Sequence, residues 1–173
     1  MNSFSINFAY DSQNQAPDTR PGCWGQAGFW DFPIIFQDVP AGQEVRLVRM
    51  DGDCYGFIHG AAPDGTHAGV LCGLITRAAP DGKGGWVAAN QPTPYLDPID
   101  QGSGDCPLFC CHSVGPDSST FRIPINADLA NAVLDANNVA LARMAVFLND
   151  TGLPIHLEWT GVIQFEYINE VSA

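Results

Sequence analysis

Short apolar runs separated by Gly, Pro, Asp and Asn constrain the fold more than any other feature of this sequence. Residues 4–10 alternate large apolar side chains with small or polar ones, which predicts a strand with one buried face. Residues 28–36 are aromatic and apolar apart from Asp31, which predicts a strand buried on both faces. Many short strands with Gly and Pro between them are typical of β-sandwiches and β-barrels.

Turn residues between these runs predict antiparallel neighbours. Asp51 and Gly52 stand between two apolar runs and predict the tight turn of a hairpin. The sequence Ala-Ala-Pro-Asp-Gly occurs twice, at 61–65 and 78–82, and each copy has the chemistry of a β-turn. The two turns bracket one further predicted strand. Because only the turn chemistry is shared, we predict no repeat architecture.

The C-terminal third contains the one segment with helical spacing. Residues 127–138 place Leu129, Val133 and Leu134 at helical intervals after Asn126, a plausible N-cap, so we expect a short helix or a helical turn there. Beyond it, residues 141–148 and 155–168 predict a long closing hairpin. The chain, residues 1–173, is therefore expected to be a single all-β domain, an antiparallel jelly-roll-like sandwich with one short helix.

Charge and composition narrow the classes of partner. The chain has 7 Lys and Arg against 19 Asp and Glu, a net charge of −12, which disfavours nucleic acid and anionic membranes. Only 15% of residues are charged, below the roughly 25% of a typical soluble domain, so much of the surface must be uncharged and suited to subunit contacts. Neither a signal peptide nor a membrane-spanning run is expected.

The six cysteines do not form a recognised metal motif. Cys54 and Cys72 lie in apolar runs, where a buried thiol is the common outcome, and we expect free or partly paired thiols in general. Cys106, Cys110 and Cys111 lie close together just before His112, but their spacing is one-sided for zinc. We favour a disulfide from Cys106 or Cys110 to a neighbouring loop.

Enzyme chemistry finds little support in the sequence. His156 and Glu158 would point to one face of a strand, an arrangement that resembles part of a cupin metal site, but the paired histidines of the first cupin motif are missing. His59 and His67 are separated by a turn. No nucleophile elbow or phosphate loop occurs. We therefore predict no catalytic, cofactor-binding or metal-binding residue, and no enzyme activity.

Aromatic residues in loop-like segments offer an alternative function. Trp24, Trp86 and Tyr95 could stack on sugar rings, which would make the chain a carbohydrate-binding or host-surface-binding module. Core packing is the more common role of such residues in a β-rich chain.

The combination of a charge-poor sandwich, a Pro-rich excursion after Trp86 and an apolar C-terminal pair of strands resembles the small jelly-roll structural proteins of bacteriophages and other virions. Residues 143–152, followed by His156 and Glu158, resemble the final strands of such spike, decoration and minor capsid proteins. The resemblance implies a virion component assembled in the host cytoplasm as a homo-oligomer, trimer or pentamer, with other capsid proteins and host-surface glycans as partners. It carries over no functional residue.

Overall fold

The computed structural model of the chain describes residues 3–12, 18–22, 25–58, 68–89, 108–114, 120–148 and 155–169. These residues form eleven strands, numbered in chain order: β1 (Ser3–Asp11), β2 (Asp18–Gly22), β3 (Gly25–Ile35), β4 (Gln43–Ile58), β5 (Ala68–Ile75), β6 (Ala78–Pro80), β7 (Trp86–Ala88), β8 (Leu108–Val114), β9 (Thr120–Asp128), β10 (Val139–Leu148) and β11 (Ile155–Asn169). Within the described ranges, no helix is long and apolar enough to cross a membrane.

The strand pairing identifies the architecture. The first half of the chain pairs antiparallel with the second half in reverse order: β1 with β11, β3 with β10, β4 with β9 and β5 with β8. Lateral pairing of β11 with β4 and of β10 with β5 then gives two sheets, in the orders β1-β11-β4-β9 and β2-β3-β10-β5-β8. A long hairpin rolled into two facing sheets is a jelly roll. The predicted antiparallel sandwich is confirmed.

The core lies between the two sheets and is apolar. Trp159 of β11 is fully buried and meets the Phe8 ring of β1 edge-on, with 5.5 Å between ring centroids. Tyr10 connects the sheets: it stacks on Phe32 of β3 at 4.5 Å, and its hydroxyl donates a 2.7 Å hydrogen bond to the Pro33 carbonyl. Desolvation of the Tyr10 hydroxyl by burial raises its pKa to about 12.

Alternation along β1 is confirmed, because Ile6, Phe8 and Tyr10 all pack on the core. The prediction that residues 28–36 are buried on both faces is wrong for the side chains that the structure describes. Phe32 and Ile34 are buried, whereas Pro33 and Ile35 are exposed. The outer face of this strand opens to solvent there, so only alternate residues reach the core.

The expected hairpin turn at Asp51 and Gly52 is wrong, because β4 runs straight through both residues. Gly52 instead lies opposite Gly161 of β11, where the two backbones come unusually close. A Cβ atom at position 52 would clash with the Thr160 carbonyl oxygen and lie 2.8 Å from the Gly161 Cα. Glycine marks a close approach of two strands here and not a turn.

The expected helix at residues 127–138 is also wrong. Strand β9 continues to Asp128, and Ala130 and Asn131 then adopt positive φ angles, which end any regular element. The backbone of this segment bonds to β4 instead: Leu129 N donates to the Val48 carbonyl, and Leu134 N donates to the Val45 carbonyl. The helical spacing of Leu129 and Leu134 reflects two side chains that enter the core from an irregular strand-like segment.

The closing hairpin is wrong in pairing but correct in its strands. β10 and β11 follow each other in the chain, yet they lie in different sheets. β10 pairs with β3 and β5, and β11 pairs with β1 and β4. Adjacent strands in sequence cross between sheets because a jelly roll pairs strands that are distant along the chain.

A smaller apolar cluster lies on the outer face of the five-stranded sheet. Ile75, Val139 and Leu141 are buried there beneath the β6–β7 hairpin, and Trp86 of β7 packs on them. The same face carries a buried ion pair between Arg143 of β10 and Asp31 of β3.

Candidate functional site

Polar and charged side chains of the described sheets concentrate on the outer face of the four-stranded sheet. Because side chains alternate along each strand, the residues of β4 and β11 that do not enter the core point outward together. Ion pairs on this face join Arg46 of β4 to Glu166 of β11 and Arg122 of β9 to Asp53 of β4, while Arg49 pairs with Asp51 along β4 itself. The hydrogen bond and charge of Asp53 raise the pKa of Arg122. Exposed pairs of this kind stabilise a fold only slightly.

At one end of this face, three potential metal ligands converge. Asp11, the last residue of β1, lies directly opposite Glu158 of β11, and His156 lies two residues earlier on β11 and so on the same face. His156 Nε2 is 2.8 Å from Asp11 Oδ1 and 3.8 Å from Glu158 Oε1. One ligand atom from each side chain lies within 4.8 Å of the other two.

Two further contacts hold this cluster in place. Ser12 follows Asp11 and is buried, and its hydroxyl accepts a 2.8 Å hydrogen bond from the backbone N–H of Leu157. That bond fixes the end of β1 against β11 at Leu157, the residue between His156 and Glu158. On the other side, Tyr55 of β4 lies opposite Glu158, and its hydroxyl donates a hydrogen bond to the Glu158 carboxylate.

The electrostatic potential at the cluster is negative. The pKa of the Tyr55 hydroxyl is raised, first by its hydrogen bond to Glu158, then by partial desolvation and by the charges of Glu158, Asp11 and Asp53. Three carboxylates thus act on one exposed phenol. The basic side chain of Arg122 on β9 is ion-paired with Asp53.

The sequence predicted only two of the three residues of this cluster. It placed His156 and Glu158 on one strand face, and the structure confirms that placement. It missed Asp11, which is 145 positions away from His156 and meets it only because β1 pairs with β11. His59 and His67 lie outside the described residues, as does the side chain of His112.

Of the three aromatic residues proposed for sugar binding, the structure describes only Trp86. Trp86 is half-buried and packs against the small apolar cluster. Trp24 and Tyr95 lie outside the described residues, and their role stays a prediction.

The cysteines show two buried thiols. Cys54 and Cys72 are both in the core, as predicted, and Cys54 Sγ lies 3.8 Å from Met144 Sδ. The backbone of Cys110 pairs with that of Cys72. The proposed disulfide involves Cys106 and the side chain of Cys110, which lie outside the described residues.

Comparison with known proteins returned little. No protein-family model matches the chain, and a search of curated proteins found no match. Among solved structures, the chain is similar to one from Desmodium yellow mottle tymovirus, with 10% sequence identity and a TM-score of 0.36. The match covers 100% of this chain and 93% of the other.

Proposed function

We propose that this chain is a structural subunit of a bacteriophage particle. It acts by protein–protein assembly and without catalysis. The observation that carries the proposal is the jelly-roll topology with an interior filled by side chains. Jelly rolls serve mainly as capsid subunits, lectin domains and cupins. The described residues allow these three to be compared.

A cupin-like enzyme needs a ligand cavity within the sandwich. Here the described interior is occupied by large apolar side chains that are fully buried, among them Trp159, Leu47, Met50, Met144 and Leu157. His156 and Glu158, the residues that resembled a cupin site, point away from this interior. A reaction centre between the sheets is therefore disfavoured.

A lectin needs an exposed aromatic platform. Trp86 is the one of the three candidate aromatics that the structure describes, and it covers an apolar cluster instead of standing free. Binding of host-surface glycans by Trp24 and Tyr95 would be an addition to a structural role.

Assembly is supported by what the surface offers to neighbouring subunits. Only 15% of the residues are charged, and β1 and β9 are the outer strands of the four-stranded sheet within the described ranges. Edge strands are common sites of pairing with another chain. Ile35 and Val87 are large apolar side chains that are 44% and 47% exposed on the side of the other sheet. Such a surface fits a closed trimer or pentamer and contacts with other capsid proteins.

The proposal is tested by the mass of the purified chain in solution, measured by light scattering coupled to gel filtration over a range of concentrations. We expect a closed oligomer, trimer or pentamer. A second measurement asks whether the chain co-sediments with nuclease-resistant particles from infected host cells. A monomer at all concentrations that is also absent from such particles would refute the structural role.

A further inference from the structure

We propose that Asp11, His156 and Glu158 bind one divalent transition-metal ion on the outer face of the four-stranded sheet. This inference goes beyond the proposed structural role and does not depend on it. It rests on three side chains of the right chemistry that two paired strands bring together at one end of that face.

The distances suit a single ion. Zinc-like ions bind nitrogen and oxygen ligands at about 2.0–2.2 Å, so two ligands of one ion lie about 3.0–3.5 Å apart in octahedral or tetrahedral geometry. His156 Nε2 is separated from Asp11 Oδ1 by 2.8 Å and from Glu158 Oε1 by 3.8 Å. The Asp11 and Glu158 oxygens lie within 4.8 Å of each other, so rotation of these side chains has to bring the two carboxylates together around the ion.

The site is largely preorganised. Asp11 and Glu158 are direct cross-strand partners, and His156 lies on the same strand face as Glu158, so the backbone sets the separation of all three. Ser12 ties the end of β1 to Leu157, between the two ligands on β11. Tyr55 holds the Glu158 carboxylate by a hydrogen bond, as outer-sphere partners of metal ligands commonly do.

The charges of the cluster favour a bound cation. Two carboxylates directly opposite each other on neighbouring strands repel, and like-charged pairs at this position destabilise a sheet. A divalent ion between the carboxylates would compensate both charges.

The donor set selects the class of ion. One imidazole with two carboxylates suits Zn²⁺, Co²⁺ or Mn²⁺, whereas Ca²⁺ takes six to eight oxygen ligands. Three protein ligands leave at least one position for water or for a group from a neighbouring molecule. Because Asp11 belongs to an edge strand and the other two ligands to its inner neighbour, the ion would fasten β1 to the sheet.

The experiment is a calorimetric titration of the whole chain with Co²⁺, with the visible and near-ultraviolet spectrum recorded on the same samples. We expect one bound Co²⁺ per chain and a melting temperature that rises with Co²⁺ concentration, because the ion binds the folded state. Replacing one ligand, in His156→Ala, Asp11→Asn or Glu158→Gln, should weaken binding by more than the 10- to 100-fold typical of outer-sphere partners. Tyr55→Phe should weaken it within about that range.

The matched control is Glu44→Gln, which removes one negative charge from β4 at the opposite end of the β4–β11 pairing, facing Ile168. It should leave Co²⁺ affinity unchanged. Circular dichroism of each variant shows whether it is folded, and the near-isosteric Glu158→Gln and Asp11→Asn keep the test valid if His156→Ala unfolds. The proposal is overturned if Co²⁺ does not bind, if the ligand variants bind as tightly as the parent, or if a thiolate-to-cobalt absorption shows the ion on cysteines.

Discussion

At the scale of single residues, glycines in β4 decide how closely the two central strands of the four-stranded sheet approach. Gly52 and Gly56 face the β11 backbone, and a Cβ atom at either position would clash with a carbonyl oxygen, that of Thr160 or of His156. Gly161 serves the same close approach from β11, since a Cβ there would lie 2.8 Å from the Asp51 carbonyl oxygen of β4. Backbone atoms cannot rotate out of the way as side chains can.

Gly52→Ala should therefore destabilise the fold by about 3 kcal/mol, because the added methyl group overpacks a rigid interface. Its control is Gly42→Ala. Gly42 has a positive φ of 74° but open space around it, so only backbone strain of about 1 kcal/mol is expected. Urea unfolding followed by tryptophan fluorescence measures the loss of stability in both variants. Equal losses for the two variants would show that the close approach does not constrain position 52.

The same residue shows what the sequence could not decide. Asp-Gly is a strong hairpin signal, and nothing local distinguishes a glycine in a turn from one beneath a crossing carbonyl. The difference lies in Thr160 and Gly161, more than a hundred positions away.

At the scale of elements, local patterns predicted strands well and their partners poorly. The alternation in β1 and the apolar runs of β10 and β11 predicted buried strands, because the local sequence pattern directly reflects burial. The segment after β9 failed as a helix because Leu129 and Leu134 satisfy helical spacing by coincidence, while their backbones bond to Val48 and Val45. Tertiary hydrogen bonds outweighed a weak helical preference.

One buried ion pair joins β3 to β10. Arg143 donates two hydrogen bonds of 2.7 Å to Asp31, and the two side chains are only 7% and 13% exposed. Arg143→Met should lower the free energy of unfolding by about 3–5 kcal/mol, because Asp31 is left charged and buried. The double variant Asp31→Leu/Arg143→Met should recover most of this loss, since no charge then remains buried.

Arg122→Met provides the comparison, because the Arg122–Asp53 pair has the same chemistry on an exposed face, with the Arg122 side chain 71% exposed. It should change stability little. Chemical denaturation of all four proteins measures the differences. An Arg143→Met variant as stable as Arg122→Met, or a double variant no better than the single, would contradict a desolvated pair.

At the scale of the whole molecule, topology creates the candidate site. His156 and Glu158 share a face by strand geometry alone, so their placement was predictable. Asp11 joins them because the first strand pairs with the last, a long-range pairing that no local pattern encodes. The fold class followed from turn spacing and apolar runs, but the strand order, and with it the site, depends on which distant strands meet.

Net charge and internal pairing together predict how assembly responds to salt. Each chain carries −12, so copies repel one another, and four of its seven basic residues, Arg46, Arg49, Arg122 and Arg143, are paired with acidic residues of the same chain. Few cations remain for ion pairs between subunits. Raising NaCl from about 0.15 M to about 1 M shortens the screening length from about 8 Å to about 3 Å, so repulsion should fall and association should tighten.

Sedimentation velocity across this salt range measures the effect, and a variant with less negative charge provides its control. Asp38→Asn/Glu44→Gln changes the net charge from −12 to −10, and Asn tolerates the positive φ of 60° at position 38. It should associate more tightly than the parent at low salt and respond less to added NaCl. Dissociation of the parent at high salt would instead mean that attractive ion pairs join the subunits, and the charge-poor edges and apolar side chains would not be the main contact.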